Sequence, residues 1–119
     1  MVKNMLTLKA RTIEAKSHLQ TKIVFWLLFV ESRGAANRIR IMSVLRKRPS
    51  NRNQLAKDLG IDYKGIQHHL KILEGNNLVT KIGNQYGLIY CVSVLFENNE
   101  IVFDEIVDRL KIVRHRNEL

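Results

Sequence analysis

The chain has 119 residues, of which 45% are hydrophobic and 26% are charged; this suits one domain with a single core and excludes a long disordered chain. Its formal net charge is +9, and the segment from Arg33 to Lys81 contains eleven Lys and Arg against three acidic residues. Positive charge concentrated in this way suits a polyanion, so nucleic acid is the first candidate partner.

Cysteine content and hydropathy exclude several other classes of protein. Cys91 is the only cysteine, so neither an internal disulfide nor a four-cysteine zinc site is possible, and a reducing, cytoplasmic setting is expected. The apolar run over residues 23–30 is eight residues long, whereas a membrane-spanning helix needs about 20. The start of the chain shows no pattern of a secretory signal, and we expect no membrane contact.

Two helices are predicted before the centre of the chain. Apolar residues recur at helical spacing over residues 4–20, and the run over 23–30 favours a helix that ends near Gly34. A further helix is predicted from Ala36 to Lys47, with Met42 and Leu45 facing the core and Arg38 facing outward.

Residues 52–71 carry the most informative pattern. The small Ala56 allows a close helix crossing, Gly60 suits a left-handed helix end, and Ile66 is spaced to point into the angle between two helices. This spacing looks like the signature of a helix-turn-helix DNA-binding motif.

Capping residues define the two helices of this motif. Asn51 and Gln54 form a capping box for the first helix, and Asp62 caps the second, which is predicted over residues 62–75. The second helix has apolar residues on one face and polar ones on the other, as a recognition helix in a major groove would have.

A hairpin and a last helix follow. Strands are predicted over residues 78–82 and 88–94, with the glycine-flanked tip 83–87 between them. Residues from Glu100 to about Arg114 form an amphipathic pattern with coiled-coil-like spacing.

This order of elements predicts a winged helix-turn-helix: an α+β fold, mainly α, with a three-helix core, a two-stranded β wing, and extra N-terminal and C-terminal helices. We divide the chain into a helical extension (1–32), the DNA-binding domain (33–96) and a C-terminal amphipathic helix (97–119). The apolar content of the two terminal segments exceeds the needs of one small core, so we expect both to form a homodimer interface, although each could instead fold back on its own chain.

The segment 37–79 resembles the archaeal winged-helix transcription regulators related to the arsenic-repressor (ArsR) family, most specifically over residues 66–71 and 77–79. The resemblance implies DNA binding and pairing through terminal helices. Metal-sensing members carry a cysteine pair in the first helix of the motif, where residues 54–58 here contain none. Asp104, Asp108 and His115 do not match the alternative metal site, so no metal and no cofactor are expected.

These considerations assign roles to individual residues. Base edges are expected to contact Tyr63, Lys64, Gln67 and His68, whereas His69 is placed at a helix–helix boundary. Phosphates are expected to contact Arg38, Arg52, Asn53, Lys71 and Lys81. The wing tip is Asn84, Gln85 and Tyr86, and the dimer contacts are Phe25, Phe29, Phe103, Ile106, Leu110 and Val113.

The leading hypothesis is a sequence-specific regulator of transcription, with repression favoured, that binds double-stranded DNA. The alternatives are an architectural DNA-binding protein, for which the basic charge would suffice, and a winged-helix module that binds protein. Neither a catalytic arrangement nor an effector pocket is recognisable, so an enzyme is not expected.

Overall fold

The computed structural model describes the backbone of residues 18–84 and 86–118, and the side chains of residues 18–84 and 86–111. The predicted helix over residues 4–20 falls almost entirely outside the described residues, as do Gln85 of the wing tip and the side chain of Val113.

The described chain contains six helices and a two-stranded antiparallel sheet, which confirms the predicted winged-helix fold. Helix α1 covers residues 18–26 and continues into a π-helical turn, Leu27–Glu31. The other elements are α2 (Ala35–Lys47), α3 (Arg52–Leu59), α4 (Tyr63–Gly75), β1 (Val79–Ile82), β2 (Ile89–Val92), α5 (Val94–Glu97) and α6 (Glu100–Glu118). None of the described helices has the length and hydropathy to cross a membrane.

The predicted caps of α3 and α4 are confirmed. The Asn51 side chain accepts from the Gln54 amide at 2.8 Å, and the Gln54 side chain accepts from the Asn51 amide at 2.9 Å. Gly60 ends α3 in the left-handed region, with φ of 65°. Asp62 then caps α4 by accepting from the Gly65 amide at 3.3 Å. These local signals fix the turn between the two helices of the motif.

The wing consists of two four-residue strands, with Lys81 opposite Tyr90 in the register. Its second strand is shorter than predicted, because Ser93 caps the short helix α5 by accepting from the Phe96 amide at 3.1 Å. Ser50 pairs with the other edge of β2, exchanging backbone hydrogen bonds of 3.0 and 2.9 Å with Tyr90. This single bridge ties the wing to the loop between α2 and α3.

All four phenylalanines of the chain meet in the core. Phe25 and Phe29 of α1 pack against Phe96 and Phe103, with ring centroids 5.2–6.1 Å apart, and all four are at most 1% exposed. Ile106 is also buried, and Leu110 packs against the same cluster. The assignment of Phe25, Phe29, Phe103 and Ile106 to a dimer interface is therefore wrong, because their side chains are covered by their own chain.

Helix α6 is also attached to α2 by charge. Arg46 donates two hydrogen bonds to Asp104, at 2.6 and 2.7 Å, and a third to Glu100 at 3.1 Å. Its guanidinium lies 5.6 Å from the centre of the Phe103 ring. These ionic contacts extend the apolar packing of α6 to the rim of the core.

Candidate nucleic-acid interface

One groove between α4 and the wing contains six of the nine residues predicted to contact bases or phosphates. Its described lining combines three side chains assigned to base edges with three assigned to phosphates: Lys64, Gln67 and His68 with Arg52, Lys71 and Lys81. Glu74, Gly75 and Tyr90 complete the lining. The fold thus brings residues from α3, α4 and both strands to one basic surface.

The periodicity of α4 explains why these side chains face outward. Ile66, Leu70 and Leu73 are at most 1% exposed and fix the inner face of the helix against the core. With about 3.6 residues per turn, Gln67 and Lys71 then fall on the opposite side, where both are exposed. The helix therefore presents a polar face that is held by a fully buried apolar one.

Arg52 is the most constrained cation of the groove. It donates to the Tyr90 hydroxyl from Nη2 at 2.7 Å and from Nε at 3.0 Å, and its Nη1 lies 3.5 Å from the Tyr63 hydroxyl. Its guanidinium also sits 5.5 Å from the centre of the Tyr90 ring. The hydrogen bonds to Tyr63 and Tyr90 raise the pKa of Arg52, so its side chain stays charged. The same hydrogen bonds fix the position of the guanidinium against α4 and the wing.

Lys81 and Glu74 form an ion pair of 3.2 Å across the groove. Glu74 is on the last turn of α4 and Lys81 is on β1, so the pair connects α4 to the wing. Both side chains remain partly exposed. A phosphate could therefore take the place of the carboxylate as the partner of Lys81.

A second concavity lies on the other side of Arg52. Asn53, Tyr63 and Tyr86 are among its lining residues, so the start of α3 and the wing tip face each other there. At the tip, the Asn84 side chain accepts from the Tyr86 amide at 3.0 Å, and Tyr86 is 88% exposed. Arg52 therefore lies between the exposed face of α4 and the tip of the wing.

Residues 36–81 match the family described as bacterial regulatory protein, arsR family. The matched segment runs from α2 to β1 and contains both helices of the helix-turn-helix. This match to a family of regulatory proteins, which are not enzymes, supports a DNA-binding regulator. No curated protein sequence matches the chain.

Several solved structures share the fold at low sequence identity. YusO from Bacillus subtilis matches with a TM-score of 0.58 and 15% identity, over 93% of this chain and 80% of its own. RV1404 from Mycobacterium tuberculosis gives 0.57 and 16%, over 95% and 79% of the two chains. The adhesin competence repressor AdcR from Streptococcus pyogenes gives 0.55 and 15%, over 99% and 80%.

Within the arsR-type segment, Arg38 does not lie where we expected it. Its side chain is 1% exposed and donates to the Leu28 carbonyl at 2.9 Å, so it cannot reach a phosphate. Helical periodicity placed it outward because the sequence does not show that α1 covers this face of α2. The assignment of Arg38 to the DNA backbone is therefore wrong.

Two residues that line the groove, Tyr90 and Glu74, were given no role there by the sequence analysis. Tyr90 is 2% exposed and combines a core ring with a hydroxyl at the groove, which its place in an apolar strand did not reveal. Glu74 could have been found from its position three residues after Lys71 on the same face of α4. Among the described side chains, no group of three His, Cys, Asp or Glu could hold a metal ion.

Proposed function

We propose that the protein is a sequence-specific transcription regulator that places the N-terminal half of α4 in the major groove of double-stranded DNA and acts as a repressor in the cytoplasm. The observation that supports this most directly is the shared groove, where exposed Gln67 and Lys64 lie beside the cations Arg52, Lys71 and Lys81. Bases and backbone could therefore be contacted at the same time.

The chemistry of each side chain suggests its role. Gln67 can pair with both hydrogen-bonding groups of an adenine edge, and Lys64 can donate to a guanine, with Tyr63 and His68 beside them. Asn53 joins Arg52, Lys71 and Lys81 as contacts to phosphates, which supply affinity and salt dependence. The wing tip would reach the minor groove or the adjacent backbone. Tyr86, Gly87 and Tyr90 further suggest the archaeal branch of ArsR-like regulators.

Substitution of Gln67 by Ala tests the readout of sequence. We expect it to reduce the preference for a selected duplex over a scrambled one by about 1–3 kcal/mol, with little change in binding to the scrambled duplex. Lys81→Ala is the matched comparison: it should weaken both duplexes alike and reduce the salt slope by about one. Fluorescence anisotropy across a salt series measures both quantities. If Gln67→Ala left the preference unchanged, the proposed readout would be wrong.

An architectural DNA-binding protein remains the second candidate, because the basic groove alone would bind any duplex. A regulator should prefer its own sites by roughly a thousandfold or more at physiological salt. Binding to DNA selected from a random pool, compared with scrambled duplex, separates the two functions. Equal affinities that fall together as salt rises would identify the architectural protein.

We also propose a homodimer that pairs through the N-terminal segment expected from the sequence, but through residues other than the buried Phe25 and Phe29. Leu19, Ile23, Trp26 and Leu27 lie on one side of α1 and are 59%, 51%, 42% and 47% exposed. Apolar exposure in one helical stripe is typical of a surface covered by a partner. Paired α1 helices would give the dimer two recognition helices for half-sites about 34 Å apart on DNA.

A further inference from the structure

A buried cation connects α1 to the recognition helix. Arg38 projects from α2 and donates from Nε to the Leu28 carbonyl at 2.9 Å and from Nη2 to the Ser32 hydroxyl. Its Nη1 lies 3.3 Å from Nδ1 of His69, which is on α4 and 7% exposed. Among the described residues, Arg38 has no carboxylate partner. Three neutral acceptors on two other segments therefore hold this charge.

The chemistry of this contact fixes the state of the histidine. Every guanidinium nitrogen of Arg38 is a donor, so Nδ1 of His69 must accept and cannot carry a proton. The imidazole is therefore neutral, with its proton on Nε2. A protonated His69 would place a second cation, and a donor, against Arg38.

The end of α1 is built to receive Arg38. The π-helical turn directs the Ser32 amide and hydroxyl to the Leu27 carbonyl. The Leu28 carbonyl, one of those that a helix end leaves without an intrahelical partner, is the one that Arg38 bonds. Arg38 thereby links the end of α1 to α2, and its contact with His69 extends this link to α4.

Gly34 allows the two side chains to approach. Its φ is +84°, and a Cβ atom added there would lie 2.5 Å from Cε1 of His69 and 3.2 Å from Nη1 of Arg38. The contact between α2 and α4 is therefore close-packed around the polar pair.

We infer that Arg38 and His69 are positioning residues for DNA recognition, and that α4 holds its DNA-reading position only while His69 is neutral and accepts from Arg38. This inference rests on the proposed function, in which Gln67 and His68, the two residues before His69 on α4, contact bases. Protonation of His69 breaks the contact with Arg38 and so removes the polar link from α4 to α1 and α2, while Ile66, Leu70 and Leu73 keep the helix in the core. Acid pH therefore reduces the discrimination between DNA sequences, although it adds positive charge to the protein.

The surroundings of His69 set the direction of this pH dependence. Burial lowers the pKa of His69 below its usual 6.5, and the charges of Arg38 and of His68 on the same helix lower it further, whereas Asp62 at the N-terminus of α4 opposes them. The contact is then fully formed above pH 6.5 and is lost as the pH falls through the lower pKa of the folded protein.

The test with DNA uses His68→Asn as background, because this substitution removes the histidine that lines the groove and leaves His69 as the titrating histidine of α4. In that protein, the ratio of affinities for a selected and a scrambled duplex should fall by up to about tenfold for each pH unit below the pKa of His69. Adding His69→Asn places an amide oxygen as many bonds from Cβ as Nδ1 is, and the ratio should become independent of pH between 5 and 8. An equal fall of this ratio in acid in both proteins, or no fall in either, would overturn the inference.

A substitution that removes the acceptor completes the comparison. In the same His68→Asn background, His69→Leu leaves Nη1 of Arg38 without an acceptor. This protein should show at pH 7.5 the low discrimination between duplexes that the His68→Asn protein shows in acid. Normal discrimination by a folded His69→Leu protein would contradict the role of the contact.

A measurement without DNA separates this inference from the proposed function. In ¹⁵N NMR spectra of the unmodified protein, His69 should carry its proton on Nε2 and titrate below pH 6.5, and amide exchange along α4 should increase as it titrates. His69→Asn should abolish that increase. A titration of His69 at or above pH 6.5, or amide exchange along α4 that does not change as His69 titrates, would overturn this inference. A failure to find any preferred duplex would count only against the proposed function.

Discussion

An arginine that binds phosphate gains affinity when its side chain is already held, because less rotamer freedom is lost on binding. Tyr90 holds Arg52 in this way with two hydrogen bonds, of 2.7 and 3.0 Å. We expect Tyr90→Phe to keep the core ring and the fold, and to weaken DNA binding by about 0.5–1.5 kcal/mol. Anisotropy titrations with one duplex measure this loss.

A double-mutant cycle tests whether Tyr90 acts through Arg52. In an Arg52→Ala background the hydroxyl has no guanidinium to hold, so Tyr90→Phe should then have no further effect on the affinity. Additive losses from the two substitutions would show that Tyr90 contributes to DNA binding independently of Arg52.

Gly34 has little room for even the smallest side chain. Gly34→Ala forces a side chain into a left-handed backbone and against His69, so we expect unfolding to become easier by roughly 1–3 kcal/mol. Gly75→Ala is the matched control, because Gly75 has open space around it and ends a helix where Ala is favoured by up to ~1 kcal/mol. Urea denaturation of the two proteins gives the comparison, and equal stabilities would contradict the tight packing at Gly34.

At the scale of elements, α6 depends on its ion pairs with α2. Asp104→Asn removes the charged partner of Arg46, and we expect a loss of about 0.5–1 kcal/mol at pH 7, since both side chains are partly exposed. Asp108→Asn makes the same change one turn later, where the described side chains offer no ion pair, and should be neutral. Thermal or urea unfolding provides the measurement.

The pH dependence of that difference is a separate prediction. The hydrogen bonds from Arg46 lower the pKa of Asp104 below its usual 3.8. Stabilisation by Asp104 is therefore present above pH 3.8 and is lost as the pH falls through the lower pKa of the folded state. The unmodified protein and Asp104→Asn should converge in stability in acid. A difference that persists below that range would show that the loss at pH 7 has another cause.

Local signals in the sequence predicted the elements well, whereas contacts distant in sequence were not predictable. The caps at Asn51, Gly60 and Asp62 depend on neighbours within a few residues, and all three are observed. The burial of Arg38 and of Phe25 depends on where α1 packs, which no local pattern encodes. Amphipathic spacing shows that a face is buried, but it cannot distinguish the chain's own core from a partner's surface.

At the scale of the molecule, the distribution of charge differs from what the sequence indicated. The eleven basic residues between Arg33 and Lys81 suggested one continuous DNA-binding face. In the structure, Arg52, Lys64, Lys71 and Lys81 line the groove, while Arg38 is buried and Arg46 and Arg48 contact acidic residues. A count of charges therefore indicated a partner class, whereas packing and ion pairs determine which cations line the groove.

The assembly of the molecule can be tested through the exposed stripe of α1. Ile23→Glu places a charge in the stripe without touching the buried Phe25, so we expect a monomer that keeps its fold and loses at least about a hundredfold in affinity for a site with two half-sites. Sedimentation equilibrium gives the mass, and anisotropy gives the affinity. Val94→Glu, at an apolar position on α5 that is 70% exposed, is the matched control and should remain dimeric. If Ile23→Glu had the same mass as the unmodified protein, the proposed pairing of α1 helices would be wrong.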